Sequence, residues 1–357
     1  MKNIKLNHIR DSKQIFSHTN HSEMIYPDIF VSGKGDKVNS NTDTYYDLTS
    51  GLWNVNYGYD SEYYKGIYED QYSKLQYYPN CFWSTTDVTE KAADAITDHY
   101  SMSGVYFGTG GGDAIRAAIY ISKFVNNKTE ILSHKEAYHG SDNITTLCYN
   151  IATRVNEHTA AVIIEPVMTT NGVLEYPRDE LIELERLRAK HGFLIIFDET
   201  VTGLGRTEIN KSINPDIIIV SKGLTNGLFP LSATLVTDKI MHHIKTCNME
   251  FDYGITMSGH PIGCALLMKS LELYTSTLDI RKKLEYDIVN KLKQVNFRNF
   301  GLLFGIEVPD AERAKFDLKQ LGYIIHNYKN TLIFVPMFIA DITNYQSFFD
   351  YLYNIKK

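Results

Sequence analysis

An acidic residue and a lysine follow two apolar runs in the middle of the chain. Asp198 comes directly after the apolar run 193–197, and Lys222 comes just beyond the apolar run 217–220. Runs this short and this apolar are typical of parallel strands that are buried on both faces. Ligands of open α/β sheets bind outside the carboxyl ends of the strands. The two side chains are therefore expected to form either a buried ion pair or part of a cofactor site.

The chemistry that needs such a pair is that of pyridoxal phosphate (PLP). A lysine amine can form a Schiff base with the PLP aldehyde, and a carboxylate can keep the pyridine nitrogen protonated. The protonated ring then draws electrons from the substrate carbon. An isolated aspartate and lysine would more often be a structural ion pair, so the surrounding residues have to decide between the two interpretations.

Two long segments around these residues resemble the class III (ω-type) aminotransferases. FDETVTGLGRTE, residues 197–208, resembles the family signature FDE-x-x-TG-x-GRTG, and PDIIIVSKGLTNGLFPLSA, residues 215–233, is similar to the family's PLP-lysine segment. The resemblance implies that Lys222 and Asp198 are the catalytic residues. Lys222 would carry PLP, and Asp198 would hold the ring nitrogen.

A glycine-rich turn precedes a predicted helix that begins near Asp113. Glycines let the backbone approach an anion, which free N–H groups and the positive end of the helix dipole then hold. The dinucleotide fingerprint fails here, because Asp113 stands where the third glycine is required. The resemblance places Gly110, Gly111 and Gly112 on the family's SGSEA phosphate motif. The serine hydroxyls of that motif are missing, so the phosphate would rest on backbone N–H groups, with Thr109 as a further candidate.

Other segments follow in the family's order and imply further cofactor-binding residues. In HKEAYHGSDNIT, Tyr138 corresponds to the aromatic residue that stacks on the pyridine ring, and His139 follows it. Glu165 ends the run AAVIIEP and would lie near the cofactor and the substrate. Thr200 replaces the valine that usually packs beneath the ring.

The resemblance also implies a substrate pocket and a second subunit. Trp53, in DLTSGLWNVNYGYD, and Tyr138 would line the substrate pocket. Thr256, in YGITMSGHPIGCALL, would reach the phosphate of the neighbouring subunit, which implies a homodimer with shared active sites. A helix N-cap is the alternative role for Thr256. The last arginine is Arg313, so the C-terminal arginine with which many members bind a substrate carboxylate is missing.

Strand-like runs that alternate with amphipathic helices, as at 88–100 and 179–192, predict an α/β fold. The resemblance implies a fold-type-I PLP-dependent transferase, with a mostly parallel central sheet, helices on both of its faces and a small α/β domain. No linker marks a boundary, and we follow the family in predicting a large PLP-binding domain at 50–277. The small domain would combine residues 1–49 with residues 278–357.

Composition excludes several other classes of protein. The net charge is −6 and the pI is about 6.1, so the protein lacks the overall positive charge that would attract nucleic acid. No apolar run approaches the length needed to span a membrane. The four cysteines are far apart, and the polar opening MKNIKLNHIR does not resemble a signal peptide, which predicts a cytoplasmic protein. No metal site is predicted.

We therefore predict an aminotransferase that uses PLP to move an amino group between an amine or amino acid and a keto acid or aldehyde. A PLP-dependent decarboxylase or aminomutase is the nearest alternative, because these reactions use the same cofactor arrangement. Two alternatives come from other classes: a nucleotide-dependent oxidoreductase that uses the turn 108–112, and a binding protein without catalytic activity.

Overall fold

The computed structural model describes residues 15–20, 28–140, 145–207 and 213–355. Residues 1–14, 21–27 and 356–357 of the predicted small domain, residues 141–144 of the segment HKEAYHGSDNIT, and Glu208 of the signature lie outside these ranges. The strands are β1 (Phe30–Lys34), β2 (Lys37–Ser40), β3 (Thr44–Asp47), β4 (Gly104–Gly108), β5 (Glu130–His134), β6 (Thr146–Cys148), β7 (Thr159–Ile164), β8 (Val167–Met168), β9 (Leu174–Glu175), β10 (Leu194–Asp198), β11 (Ile217–Val220), β12 (Ser232–Val236), β13 (Phe297–Phe300), β14 (Leu303–Glu307), β15 (Tyr323–Ile324), β16 (His326–Tyr328) and β17 (Thr331–Phe334). The helices are α1 (Ser50–Trp53), α2 (Ile67–Lys74), α3 (Asp87–Tyr100), α4 (Gly111–Asn126), α5 (Arg178–His191), α6 (Asp238–Thr246), α7 (Pro261–Ser276), α8 (Leu278–Leu292), α9 (Ala311–Gln320) and α10 (Gln346–Asn354), with 3₁₀ turns at Glu62–Tyr64, Lys222–Thr225 and Ile342–Tyr345.

The central sheet has seven strands in the order β4-β12-β11-β10-β7-β5-β6. Strand β10 pairs in parallel with both β7 and β11, and β5 pairs in parallel with β6 and β7. Strand β12 runs antiparallel to its neighbours β11 and β4. The predicted mostly parallel α/β sheet is confirmed.

The central strands β10 and β11 are almost wholly apolar because helices cover both faces of the sheet. Leu194 and Ile196 of β10 pack on the face covered by α4. Ile195 and Phe197 point to the opposite face, where they pack with residues of α5. Alternating side chains of one strand are thus buried on two sides, and each such side chain stabilises the fold by about 1.5–3 kcal/mol.

Two element boundaries differ from the predicted ones, and both differences concern the site. Strand β10 includes Asp198 as its last residue, paired with Ile219 of β11, because the ladder continues one residue past the apolar run. Helix α4 begins at Gly111, two residues earlier than predicted. Gly110 is its extended N-cap residue, so Gly111 and Gly112 form the first helical turn.

Strands from the N-terminal and C-terminal parts of the described chain pack together. Strand β15, from the C-terminal part, pairs in parallel with β3, so that Tyr323 lies opposite Tyr46. Strands β15 and β3 belong to a four-stranded sheet with the order β1-β2-β3-β15, and another four-stranded sheet has the order β13-β14-β17-β16. Phe334 of β17 shares a buried core with Leu48. The pairing joins the elements that the resemblance assigns to the small domain. The domain boundaries themselves stay a prediction.

Candidate active site

A cavity of about 840 Å³ opens where the carboxyl ends of β10 and β11 meet the N-terminus of α4. Two neighbouring parallel strands deliver Asp198 and Lys222 to it, as the sequence predicts. Eight of the predicted site residues line this cavity: Gly110, Gly111, Gly112, Tyr138, Glu165, Asp198, Thr200 and Lys222.

The Asp198 carboxylate is buried, and each of its two oxygens has one hydrogen-bond partner. Nδ1 of His139 lies 2.9 Å from its Oδ2, and the backbone N–H of Thr200 donates to its Oδ1 at 3.1 Å. Burial alone would raise the pKa of Asp198, but these hydrogen bonds and the charge of His139 lower it below its ordinary value. Burial lowers the pKa of His139, yet its partner Asp198 outweighs this and raises that pKa. Both shifts act in the same sense, since they favour the ionised form of Asp198 and the charged form of His139.

Lys222 stands at the start of a short 3₁₀ turn in a strained conformation, with φ of +23°. Its Nζ lies 4.5 Å from the ring centroid of Trp53, which is itself 7% exposed. Burial lowers the pKa of Lys222, although the charges of Asp198 and Glu165 act in the opposite direction. A lowered pKa increases the fraction of neutral amine, which is the nucleophilic form.

Glu165 adds a second buried carboxyl group beside this pair. Burial raises its pKa to about 7, and its Oε2 accepts the backbone N–H of Tyr138 at 2.9 Å. This hydrogen bond fixes the backbone of Tyr138, whose side chain is 41% exposed at the cavity.

The glycine turn lies close to the residues that follow β10. A Cβ on Gly111 would come within 3.2 Å of Thr200 Cγ2, and a Cβ on Gly108 would overlap Asp113 Oδ2. Asp113 is buried in the first turn of α4, where it accepts the backbone N–H of Thr109 and the hydroxyl of Tyr253, both at 3.1 Å. The turn therefore brings the N-terminus of α4 against the cavity wall.

The residues of this cavity fit PLP. The first residues of a helix present N–H groups without intrahelical acceptors, which suits a phosphate, and Asp198 and Lys222 supply the acid and the amine. Thr200 also lines the cavity, and its hydroxyl is buried without a hydrogen-bond partner in the described part of the chain. A bound group that offers a polar atom would satisfy it.

Three predicted residues lie outside the lining. His139 lies behind Asp198, and Trp53 contacts Lys222. Thr256 is exposed, and its carbonyl oxygen accepts the hydroxyl of Tyr77 at 2.6 Å. Its role in a neighbouring subunit stays a prediction.

Sequence reasoning missed several lining residues, among them Tyr59, Arg116 and Phe229. Arg116 could have been found from its spacing, since it follows Gly112 by one helical turn. Tyr59 and Phe229 reach the cavity from loops, and no local pattern marks them.

Across the described residues, no helix is both long enough and apolar enough to cross a membrane. The same part of the chain contains no cluster of three or more His, Cys, Asp or Glu side chains arranged to hold a metal ion.

Comparison with protein families matches residues 142–355 to the model described as aminotransferase class III. An acetylornithine aminotransferase from Archaeoglobus fulgidus is 24% identical, over 79% of this chain and 83% of its own length. A succinylornithine transaminase from Photorhabdus laumondii is 29% identical, over 82% of each chain. The fold is similar to a PMP-bound aminotransferase crystal structure from Vibrio fluvialis, with a TM-score of 0.86, 21% identity and 96% of each chain covered.

Proposed function

Because this chain belongs to the class III aminotransferases and is a PLP-dependent aminotransferase, we propose that Lys222 is the amine that carries its cofactor. In the same proposal, Asp198 holds the pyridine nitrogen, and the first turn of α4 holds the phosphate. One observation supports the proposal most strongly. Asp198 and Lys222 follow adjacent strands, and both line one cavity beside the N-terminus of a helix.

When bound, PLP supplies an aldehyde that combines with amines and a ring that withdraws electrons from the substrate carbon. Asp198 would accept the ring N–H, and its hydrogen bonds to His139 and Thr200 keep it ionised for this task. Lys222 Nζ would bind the aldehyde carbon and, once released, move the proton at the substrate carbon. Tyr138 would cover one face of the ring, because its side chain lines the cavity while its backbone is held by Glu165.

Replacement of the lysine tests this assignment. Lys222→Ala should abolish the visible absorption band that forms when PLP is added, and borohydride reduction should leave no cofactor mass on the peptide that contains residue 222. Lys283→Ala removes an exposed lysine of α8 that pairs with Asp287 and should keep both signals. A Lys222→Ala protein with a normal band and a reduced adduct would refute the assignment.

The substrates of an aminotransferase are small amines and keto compounds. Relatives named as aminotransferases or transaminases support amino transfer, and they give no support to decarboxylase or aminomutase chemistry. The glycine turn does not match the dinucleotide-binding fingerprint, which argues against a nucleotide-dependent oxidoreductase. Asp198 and Lys222 are both present in the cavity, which argues against a binding protein without catalytic activity. Mass spectrometry of the products from a panel of amines, with and without a keto acid, tests this choice. Without the acceptor, at most one equivalent of product per site is expected, because the cofactor itself takes up the amino group; more product is expected only when the keto acid is present.

The proposal includes a homodimer with shared active sites and a cytoplasmic location. Phe82 and Trp83 are almost fully exposed, which suits burial against a second copy, and Thr256 is available on the surface. The four free cysteines support a reducing compartment.

Hybrid dimers test the shared site. Thr256→Ala should weaken PLP binding, and mixing it with Lys222→Ala should create one intact site per hybrid, with Lys222 from one chain and Thr256 from the other. A monomeric mass in light scattering, or no recovery of tight PLP binding on mixing, would contradict the proposal.

A further inference from the structure

The side chain of Arg116 lies over the first turn of α4. Its Nη1 is 3.9 Å from the position that a Cβ of Gly112 would occupy, and its Nη2 is 4.0 Å from Asp113 Oδ1. Long side chains of a helix point toward the helix N-terminus, so a residue four positions after Gly112 reaches back over it. Because Gly112 has no side chain, it leaves this path open. Arg116 also lines the cavity that contains Lys222.

The charges at this end of the cavity require a cation. Asp113 places a buried carboxylate in the same helical turn that offers its N–H groups to a phosphate. A phosphate monoester carries nearly two negative charges at neutral pH, whereas a helix N-terminus supplies about half a positive charge. Glycines at 110–112 add no hydroxyl donors. Backbone N–H groups alone would therefore leave two neighbouring anions poorly compensated.

We propose that Arg116 binds the phosphate of PLP and replaces the donors that the glycines lack. Its planar fork can donate two parallel hydrogen bonds to phosphate oxygens. Its position beside Asp113 also offsets the repulsion between that carboxylate and the phosphate. This inference rests on the proposed function, because it assumes that PLP lies with its phosphate at α4 and its aldehyde at Lys222.

Comparison of PLP with pyridoxal, which lacks the phosphate, tests the inference without an activity assay. Dissociation constants of both compounds are measured on the apoprotein of the wild type, Arg116→Gln and Arg116→Lys by titration of the visible band. Arg116→Gln should bind PLP about ten- to a hundredfold more weakly, the usual range for a charge-assisted hydrogen bond, and pyridoxal should be unaffected. Arg116→Lys should lose less affinity for PLP, because it keeps the charge. The matched control is Arg186→Gln, which removes an exposed arginine of α5 that pairs with Glu183.

Equal affinity of Arg116→Gln and the wild type for PLP would overturn the inference. A loss of the same size for pyridoxal would also overturn it, because the effect would then come from a disturbed cavity. Both outcomes differ from failure of the proposed function, in which the wild type itself would form no bond between PLP and Lys222.

Discussion

Replacement of Glu165 by glutamine should change how the stability of the apoprotein depends on pH. Burial raises the pKa of this carboxyl group from its ordinary 4.5 to about 7. Between these two values the unfolded chain loses the proton while the native state keeps it, so the wild type loses stability as pH rises through this window. A pKa difference of one corresponds to about 1.4 kcal/mol, so a rise of about 2.5 lowers the free energy of unfolding by about 3 kcal/mol above pH 7.

The Glu165→Gln variant is neutral at every pH and should not show this loss. Its side-chain oxygen can still accept the N–H of Tyr138, which Glu165 accepts at 2.9 Å. Any constant cost of the substitution cancels when two pH values are compared. Relative to the wild type, we expect the variant to gain about 3 kcal/mol between about pH 4.5 and about pH 8.

Urea unfolding of both apoproteins across this pH range measures the gain. The cofactor is removed beforehand, because its charges would add further linked protons. Glu175→Gln is the control, because it removes the same charge from an exposed position on β9. The reasoning is refuted if the difference between variant and wild type stays constant with pH, or if it grows as the pH is lowered.

Two further substitutions test two separate sets of buried hydrogen bonds, one around Asp198 and one around Arg206. Asp198→Asn should lower kcat of the PLP-loaded enzyme about a hundredfold or more. The pKa of His139, followed by NMR, should fall as well, because the carboxylate that raises it is gone. An unchanged His139 pKa would contradict the interaction between the two side chains. Arg206→Met should cost about 3 kcal/mol or more of unfolding free energy in urea, because Arg206 donates to the buried carbonyl oxygens of Leu302 and Pro336, which would lose their partner. A change below about 0.5 kcal/mol, the scale of an ordinary surface substitution, would show that these carbonyls find other donors.

The sequence alone predicted the residues that stand at strand ends. Asp198 and Lys222 follow continuous apolar runs, and such runs require a sheet that is covered on both faces. Because parallel strands end at the same edge of a sheet, the acid and the amine were expected to lie close together there. The catalytic roles of both residues stay predictions until they are tested.

Strand direction was not predictable everywhere. Residues 232–236 form β12, which enters the sheet antiparallel between β4 and β11. A short apolar run carries no sign of its direction, because its side chains alternate in the same way in parallel and antiparallel ladders.

Only the tertiary structure decided which distant side chains surround Lys222. Tyr59 and Arg116 are separated from Lys222 by more than a hundred residues of sequence, yet both line its cavity. Sequence motifs indicate local structure, such as the residue at which a helix begins or a strand ends. The approach of loops and helix faces depends instead on how the elements pack, and packing is a property of the whole chain.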